Sequence, residues 1–128
     1  MGIHIEQLDH LVLTVRDVGV TCAFYERVLG MEVITFQGDR KALRFGTQKL
    51  NLHPAGGQFL PVAELPTPGS ADLCLIAETP LEQVVTHLGR CGVQVEMGPI
   101  RRTGATGPLH SVYVRDPDGN LIEISNRA

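Results

Sequence analysis

Apolar and polar positions fall into two series of the same form. Residues 8–15 and 72–77 are short apolar runs rich in β-branched side chains, and each predicts a strand. A helical pattern follows each run. In the first, Thr21, Phe24, Tyr25, Val28 and Leu29 recur at i, i+3, i+4, i+7 and i+8, with Asp17 placed to cap the helix. In the second, Leu81, Val84, Val85 and Leu88 repeat in the same way. Thr79-Pro80-Leu81-Glu82 reads as a capping box, with Thr79 at the cap and Pro80 at the first helical position. Gly30 and Gly92 stand where each helix hands over to a strand. Further strands are predicted at 31–37, 41–46 and 48–53, and at 93–98, 109–115 and 120–126. Asp116-Pro117-Asp118-Gly119 supplies a turn before the last of them.

The two series align as a repeat. Asp9 to Thr14 match Ala71 to Ile76 at an offset of 62, as Gly30 matches Gly92, and the offset widens to 72 where Asn51 meets Glu123. Proline and glycine crowd the stretch between them. This gives one α+β domain over residues 1–128: a first βαβββ module over 5–54, a linker over 55–70, and a second βαβββ module over 71–128. A helix and a sheet of this size cannot bury their apolar faces alone. Each module is therefore expected to pair with another, in the same chain or in a second copy.

Composition narrows the function. The chain has 128 residues, 43% hydrophobic and 20% charged, as in an ordinary globular domain. No apolar run reaches the roughly 18 residues of a membrane span, and the first residues do not read as a signal peptide. Fourteen acidic against eleven basic side chains, with no basic stripe, argue against nucleic acid as a partner. Cys22, Cys74 and Cys91 are odd in number and form no C-x-x-C pair. Free thiols in a reducing, cytoplasmic compartment are expected. Cys74 reads as pointing away from Asp72, which leaves a cysteine nucleophile without a base. No dinucleotide fingerprint, phosphate-binding loop or nucleophile elbow is present.

Against this background a few polar residues stand out. His10 lies in an apolar strand and shares a strand face with Val12 and Thr14. A histidine there serves either as a hydrogen-bonded strand residue or as a ligand. Glu123 sits between Ile122 and Ile124, where a carboxylate needs a cation, a metal or water. The repeat makes His10 equivalent to Asp72, and Asn51 equivalent to Glu123, with His53 two residues beyond Asn51. If the modules face one another, His10, Asp72, Glu123 and one of His53 or Asn51 converge. Imidazole with carboxylates suits Mn, Fe, Co, Ni or Zn.

The segments Leu8–Val15, Phe24–Met31 and Tyr113–Glu123 together resemble the vicinal oxygen chelate superfamily: glyoxalase I, extradiol dioxygenases, fosfomycin-resistance transferases, methylmalonyl-CoA epimerase and bleomycin-resistance proteins. Asn51-Leu52-His53 and Pro66–Cys74 narrow the resemblance to the small glyoxalase domain-containing protein 5-like group. It implies a curved mixed-sheet cup and one divalent ion per site (Ni, Co, Mn, Fe or Zn), held by His10, Glu123, Asp72 and His53. Asp72 stands where relatives place a second histidine, and Asn51 where glyoxalase I has a further ligand. Glu123 is the implied general base. Tyr113, Ser111, Arg115, Asn51 and Arg44 are the implied substrate contacts, with Arg44 and an Arg101-Arg102 loop suited to an anion. The expected function is a metal-dependent lyase or isomerase, acting as a homodimer on a small molecule that chelates the metal through vicinal oxygens. An extradiol-type dioxygenase and a metal-free drug- or metabolite-binding protein are the alternatives.

Overall fold

The structure, a computed structural model, describes residues 2–128. It divides into two compact units, one ending at Thr67 and the other running from Pro68 to Ala128.

Unit 1 contains β1 (His10–Val15), α1 (Val18–Leu29), β2 (Glu32–Phe36), β3 (Arg40–Phe45) and β4 (Gln48–Pro54). Its four-stranded sheet has the order β1-β4-β3-β2, with β1 parallel to β4 and the other pairs antiparallel. Helix α1 starts where the sequence signals it. Asp17 has an extended backbone and its Oδ1 accepts the Val20 amide at 3.0 Å. The helix ends at Gly30, whose φ of 66° is the left-handed conformation glycine adopts freely. Thr21, Tyr25 and Val28 form its buried stripe. Leu13, Val15, Leu43, Leu50 and Leu52 are the buried sheet residues on the alternate positions that share one side. Each such apolar side chain contributes about 1.5–3 kcal/mol on burial.

Unit 2 repeats the design with β5 (Asp72–Ile76), α2 (Leu81–Arg90), β6 (Met97–Thr103), β7 (Pro108–Arg115) and β8 (Leu121–Arg127). The order is β5-β8-β7-β6, again with the first pair parallel. Val112, Val114, Ile122 and Ile124 build the core with Leu81, Val84 and Leu88 of α2. The expected α+β class and the βαβββ order are both present.

Three local expectations are corrected. The capping box is not formed: the cap residue of α2 is Pro80 and no side chain of its own segment caps it. Asn126 of β8 does so instead. Its Oδ1 accepts the Leu81 amide at 2.6 Å, and its Nδ2 donates to the carbonyls of Ala77 and Thr79. The strand expected at 93–98 begins only at Met97. Val93 is spent on the end of α2, where its amide bonds the Leu88 carbonyl beyond the left-handed Gly92, as in a Schellman motif. The strand then runs through a register shift between Met97 and Ile100. Gly98 sits there at φ 103°, where a Cβ would run into the Ser111 carbonyl oxygen. The same displacement moves Arg101 and Arg102 from a loop into β6.

The Asp116–Asn120 turn forms as the sequence indicates. Asp116 Oδ1 accepts the amides of Asp118 and Asn120, its Oδ2 accepts Asn120 Nδ2, and Asn120 Oδ1 accepts the Ala71 amide. This ties the turn before β8 to the start of β5, and so fixes the strand that carries Glu123. Among the described residues no helix is long and apolar enough to cross a membrane.

Candidate functional site

Each sheet has one face on its helix and one face away from it, and the polar residues singled out above lie on the faces away from the helices. In unit 1, register places His10 level with Lys49, Val12 with Asn51 and Thr14 with His53, so these six share that face. Ala42 of β3 is level with Asn51, which adds Arg40 and Arg44. His10 is 43% exposed at its side chain, and its Nδ1 lies 2.8 Å from Asp9 Oδ2. A carboxylate on one ring nitrogen fixes the tautomer and leaves Nε2 as the ligating atom, which is the usual outer-shell arrangement of a metal-binding histidine.

Asn51 and His53 are buried, and Asn51 Oδ1 and His53 Nδ1 have no hydrogen-bond partner. Burial, then the nearby Arg40 charge, lowers the His53 pKa below the usual imidazole value. His10 and His53 are not neighbours. His53 lies four residues beyond the position level with His10, about 13 Å along the strand. Asn51 is the closer side chain, two residues on.

In unit 2 the equivalent offset recurs. Asp72 is level with Leu121, and Glu123 lies two residues on. Glu123 is half-buried, and among the described residues no Lys, Arg or His is paired with it. Its hydrogen-bond donor is the Ser125 hydroxyl, at 3.4 Å from Oε2. Cys74 requires a correction. It is two residues from Asp72 and level with Glu123, so it shares their face instead of pointing away. Its Sγ lies 3.3 Å from Ser125 Oγ, which is 2.6 Å from the buried Ser111 Oγ. Partial burial of the sulfur, together with the Glu123 charge, raises the Cys74 pKa, so the thiol stays protonated.

Ser111, Tyr113 and Arg115 do share this face, opposite Ser125, Glu123 and Leu121. Arg115 is engaged: its Nε and Nη2 each bond an oxygen of Glu96 at 3.0 Å. That pair lowers the Glu96 pKa. The Tyr113 hydroxyl accepts from Arg102 Nε at 2.8 Å. Arg44, in unit 1, is held by Glu32, with Nε at 3.0 Å and Nη2 at 2.6 Å from Oε1.

Sequence reasoning passed over Arg40, Lys49, Phe36 and Phe59. Arg40 Cζ is 5.3 Å from the Phe36 ring centroid and 4.3 Å from that of Phe59, and Lys49 Nζ is 4.1 Å from Phe36. Phe59 also meets His53 edge-on at 5.2 Å. The signal in the sequence was the Phe36–Arg40 spacing across a short hairpin, which the register makes a cross-strand pair.

Among the described residues no three of His, Cys, Asp or Glu stand close enough to cage an ion; the repeat instead gives each unit a diagonal pair, His10 with Asn51 and Asp72 with Glu123. The model of the Glyoxalase/Bleomycin resistance protein/Dioxygenase superfamily matches residues 7–124. The chain belongs to that superfamily. Within it, the chain is 56% identical over 121 residues to Virulence protein STM3117 of Salmonella typhimurium, covering 94% of this chain and 84% of that one. The crystal structure of that protein superposes with a TM-score of 0.97, covering 98% and 100% of the two chains at 54% identity. Glyoxalase domain-containing protein RDO1 of Mycosarcoma maydis is 52% identical over 122 residues, covering 95% and 69%. An integron cassette protein from the mobile metagenome of V. cholerae has a TM-score of 0.97 at 50% identity over the whole of both chains.

Proposed function

We propose that this glyoxalase-superfamily protein is a metal-dependent small-molecule enzyme of lyase or isomerase type, with His10, Asp72 and Glu123 as its ligands, brought together in a homodimer. The observation that carries the reading is Glu123, a half-buried carboxylate with no cationic partner among the described residues. A carboxylate so placed has oxygens left over to meet a cation from outside the chain. His10, with Nδ1 on Asp9 and Nε2 available, has the donor that a divalent ion takes from imidazole. Imidazole with two carboxylates suits a first-row divalent metal with positions left for water or substrate oxygens. A bound ion of this kind polarises substrate oxygens and stabilises negative charge on them.

The chain's own residues do the rest. Glu123 is the proton acceptor, because its carboxylate lies on the face of its sheet away from the helix and its bond from Ser125, at 3.4 Å, is a weak one. The Ser125 hydroxyl orients that carboxylate, and Ser111 in turn fixes Ser125. Asp9 holds the His10 ring. His53, too far along β4 to join His10 directly, is assigned to the substrate side together with Asn51 and Tyr113. A homodimer belongs to this reading, supported by the exposed Ile3, Ile5 and Leu8.

A metal-free binding protein is the second reading. The cation–aromatic cluster of Arg40, Lys49, Phe36 and Phe59 favours it, since that cluster suits an organic anion with no ion present. Titration of Mn, Ni and Zn into wild type, His10→Ala and Glu123→Ala separates the two. The enzyme reading expects binding in the wild type and its loss in both variants, with unchanged far-UV circular dichroism. Equal metal binding by all three proteins refutes the ligand assignment.

A further inference from the structure

The face of unit 1 away from α1 carries positive charge that no acid on it balances. Arg44 is neutralised by Glu32, but Arg40 and Lys49 are not paired with any carboxylate among the described residues. Arg40 is nonetheless tightly placed. Its Nη1 donates to Gln37 Oε1 at 2.8 Å, and its guanidinium lies against Phe36 and Phe59.

What remains unpaired is its Nε–Nη2 edge, whose Nε is buried without a partner. That is the edge by which Arg44 grips Glu32 and Arg115 grips Glu96 in this same protein. A second orphan lies beside it. His53 is 4% exposed, touches Phe59 edge-on, and presents a buried Nδ1 with no partner. A buried polar atom left unmade costs about 1–3 kcal/mol, more on a charged group. With Asn51 Oδ1, three such atoms lie on one cationic, aromatic-lined face, the mark of a site whose partner comes from outside.

We propose that Arg40, with His53, seats the carboxylate of a small organic acid whose planar or apolar part lies against Phe36 and Phe59. The planar fork of Arg40 matches a carboxylate side-on. Lys49 adds charge from above Phe36, and neutral His53 offers one N–H or one lone pair. Phe59, 36% exposed on a segment outside helix and strand, lies over Arg40 and His53 and is the side chain the acid would have to displace. The proposal rests on this face being the substrate side, as proposed above, and it names the substrate class: an anionic, ring-bearing or apolar acid. It does not require the metal.

Phenylacetate is the probe, because it carries a carboxylate and a ring but no vicinal oxygen to chelate an ion. Phenylacetamide is the uncharged control. Both are titrated calorimetrically into the full chain as purified and after treatment with a chelator, in wild type, Arg40→Gln and Arg40→Lys. Wild type should bind phenylacetate at least about tenfold more tightly than the amide, with or without metal. Arg40→Gln should lose about 10–100-fold, the worth of hydrogen bonds to a charged group. Arg40→Lys should recover only part of this, since it keeps the charge and loses the fork. Metal content should be the same in all three. Equal binding of acid and amide, an unchanged Arg40→Gln, or no phenylacetate binding by wild type up to about 50 mM would overturn the assignment. Binding that vanishes on chelation but survives Arg40→Gln would give the carboxylate to the metal, and would overturn this proposal while leaving the metalloenzyme reading intact.

Discussion

Replacing Asn126 by alanine removes the group that starts α2. Three hydrogen bonds go with it: the 2.6 Å bond from the Leu81 amide and the bonds of 3.1 and 2.9 Å to the carbonyls of Ala77 and Thr79. The first two are part-buried and worth about 1 kcal/mol each, and the exposed third adds a few tenths. A lost helix cap alone costs about 0.5–2 kcal/mol, which is consistent. Asn126→Ala should therefore destabilise the protein by about 2–3 kcal/mol and lower the thermal midpoint by roughly 6–12 °C. Asn126→Asp keeps the acceptor at a helix N-terminus, where negative charge is favoured, and should cost about 1 kcal/mol. Thr79→Ala, which removes the cap that the local sequence suggests, should cost less than about 0.5 kcal/mol. Urea unfolding followed by far-UV circular dichroism reads all three. If Asn126→Ala falls within about 0.5 kcal/mol of wild type, or Thr79→Ala is as costly, the long-range cap is not what holds the helix.

Three further outcomes are expected. The lowered His53 pKa means that the unfolded chain takes up a proton, near the ordinary imidazole value of about 6.5, before the folded chain does. Stability should therefore fall as pH drops below about 6.5, until the folded histidine also protonates, and His53→Gln should flatten that limb in unfolding measured from pH 8 to 5. Gly98→Ala forces a Cβ against the Ser111 carbonyl at φ 103° and should cost about 2 kcal/mol or more by urea unfolding; a neutral effect would contradict the bulge geometry. The raised Cys74 pKa predicts alkylation by iodoacetamide at pH 7.5 more slowly than a free cysteine, with Glu123→Gln speeding it; mass spectrometry of the labelled peptide gives both rates.

How much of this was legible depended on the range of the interaction. Asp17 and Gly30 act on their own helix, so their roles could be read from neighbouring letters. Asn126 caps a helix 45 positions away, while the neighbouring letters point to Thr79. Val93 and Val95 mimic strand alternation, yet Val93 belongs to the end of α2, and the bulge at Gly98 delays β6. The repeat was the strongest signal. It paired His10 with Asp72 and Asn51 with Glu123, and the parallel registers of β1–β4 and β5–β8 reproduce the same two-residue step in both units. Arg40 was invisible for a different reason. Its interest lies in the partner it lacks, while Arg44, a similar letter in the same strand, is satisfied by Glu32 across the hairpin. Such a difference appears only once register and side-chain direction are known.

The role proposed for His10, Asp72 and Glu123 is to hold a metal ion. Elemental analysis by plasma mass spectrometry of untagged protein, purified without added metal, tests it most directly. About one equivalent of Mn, Fe, Co, Ni or Zn per chain is expected, removable by a chelator and restorable with a rise in thermal midpoint. Protein that carries none of these ions, and that none of them stabilises when added, would contradict it.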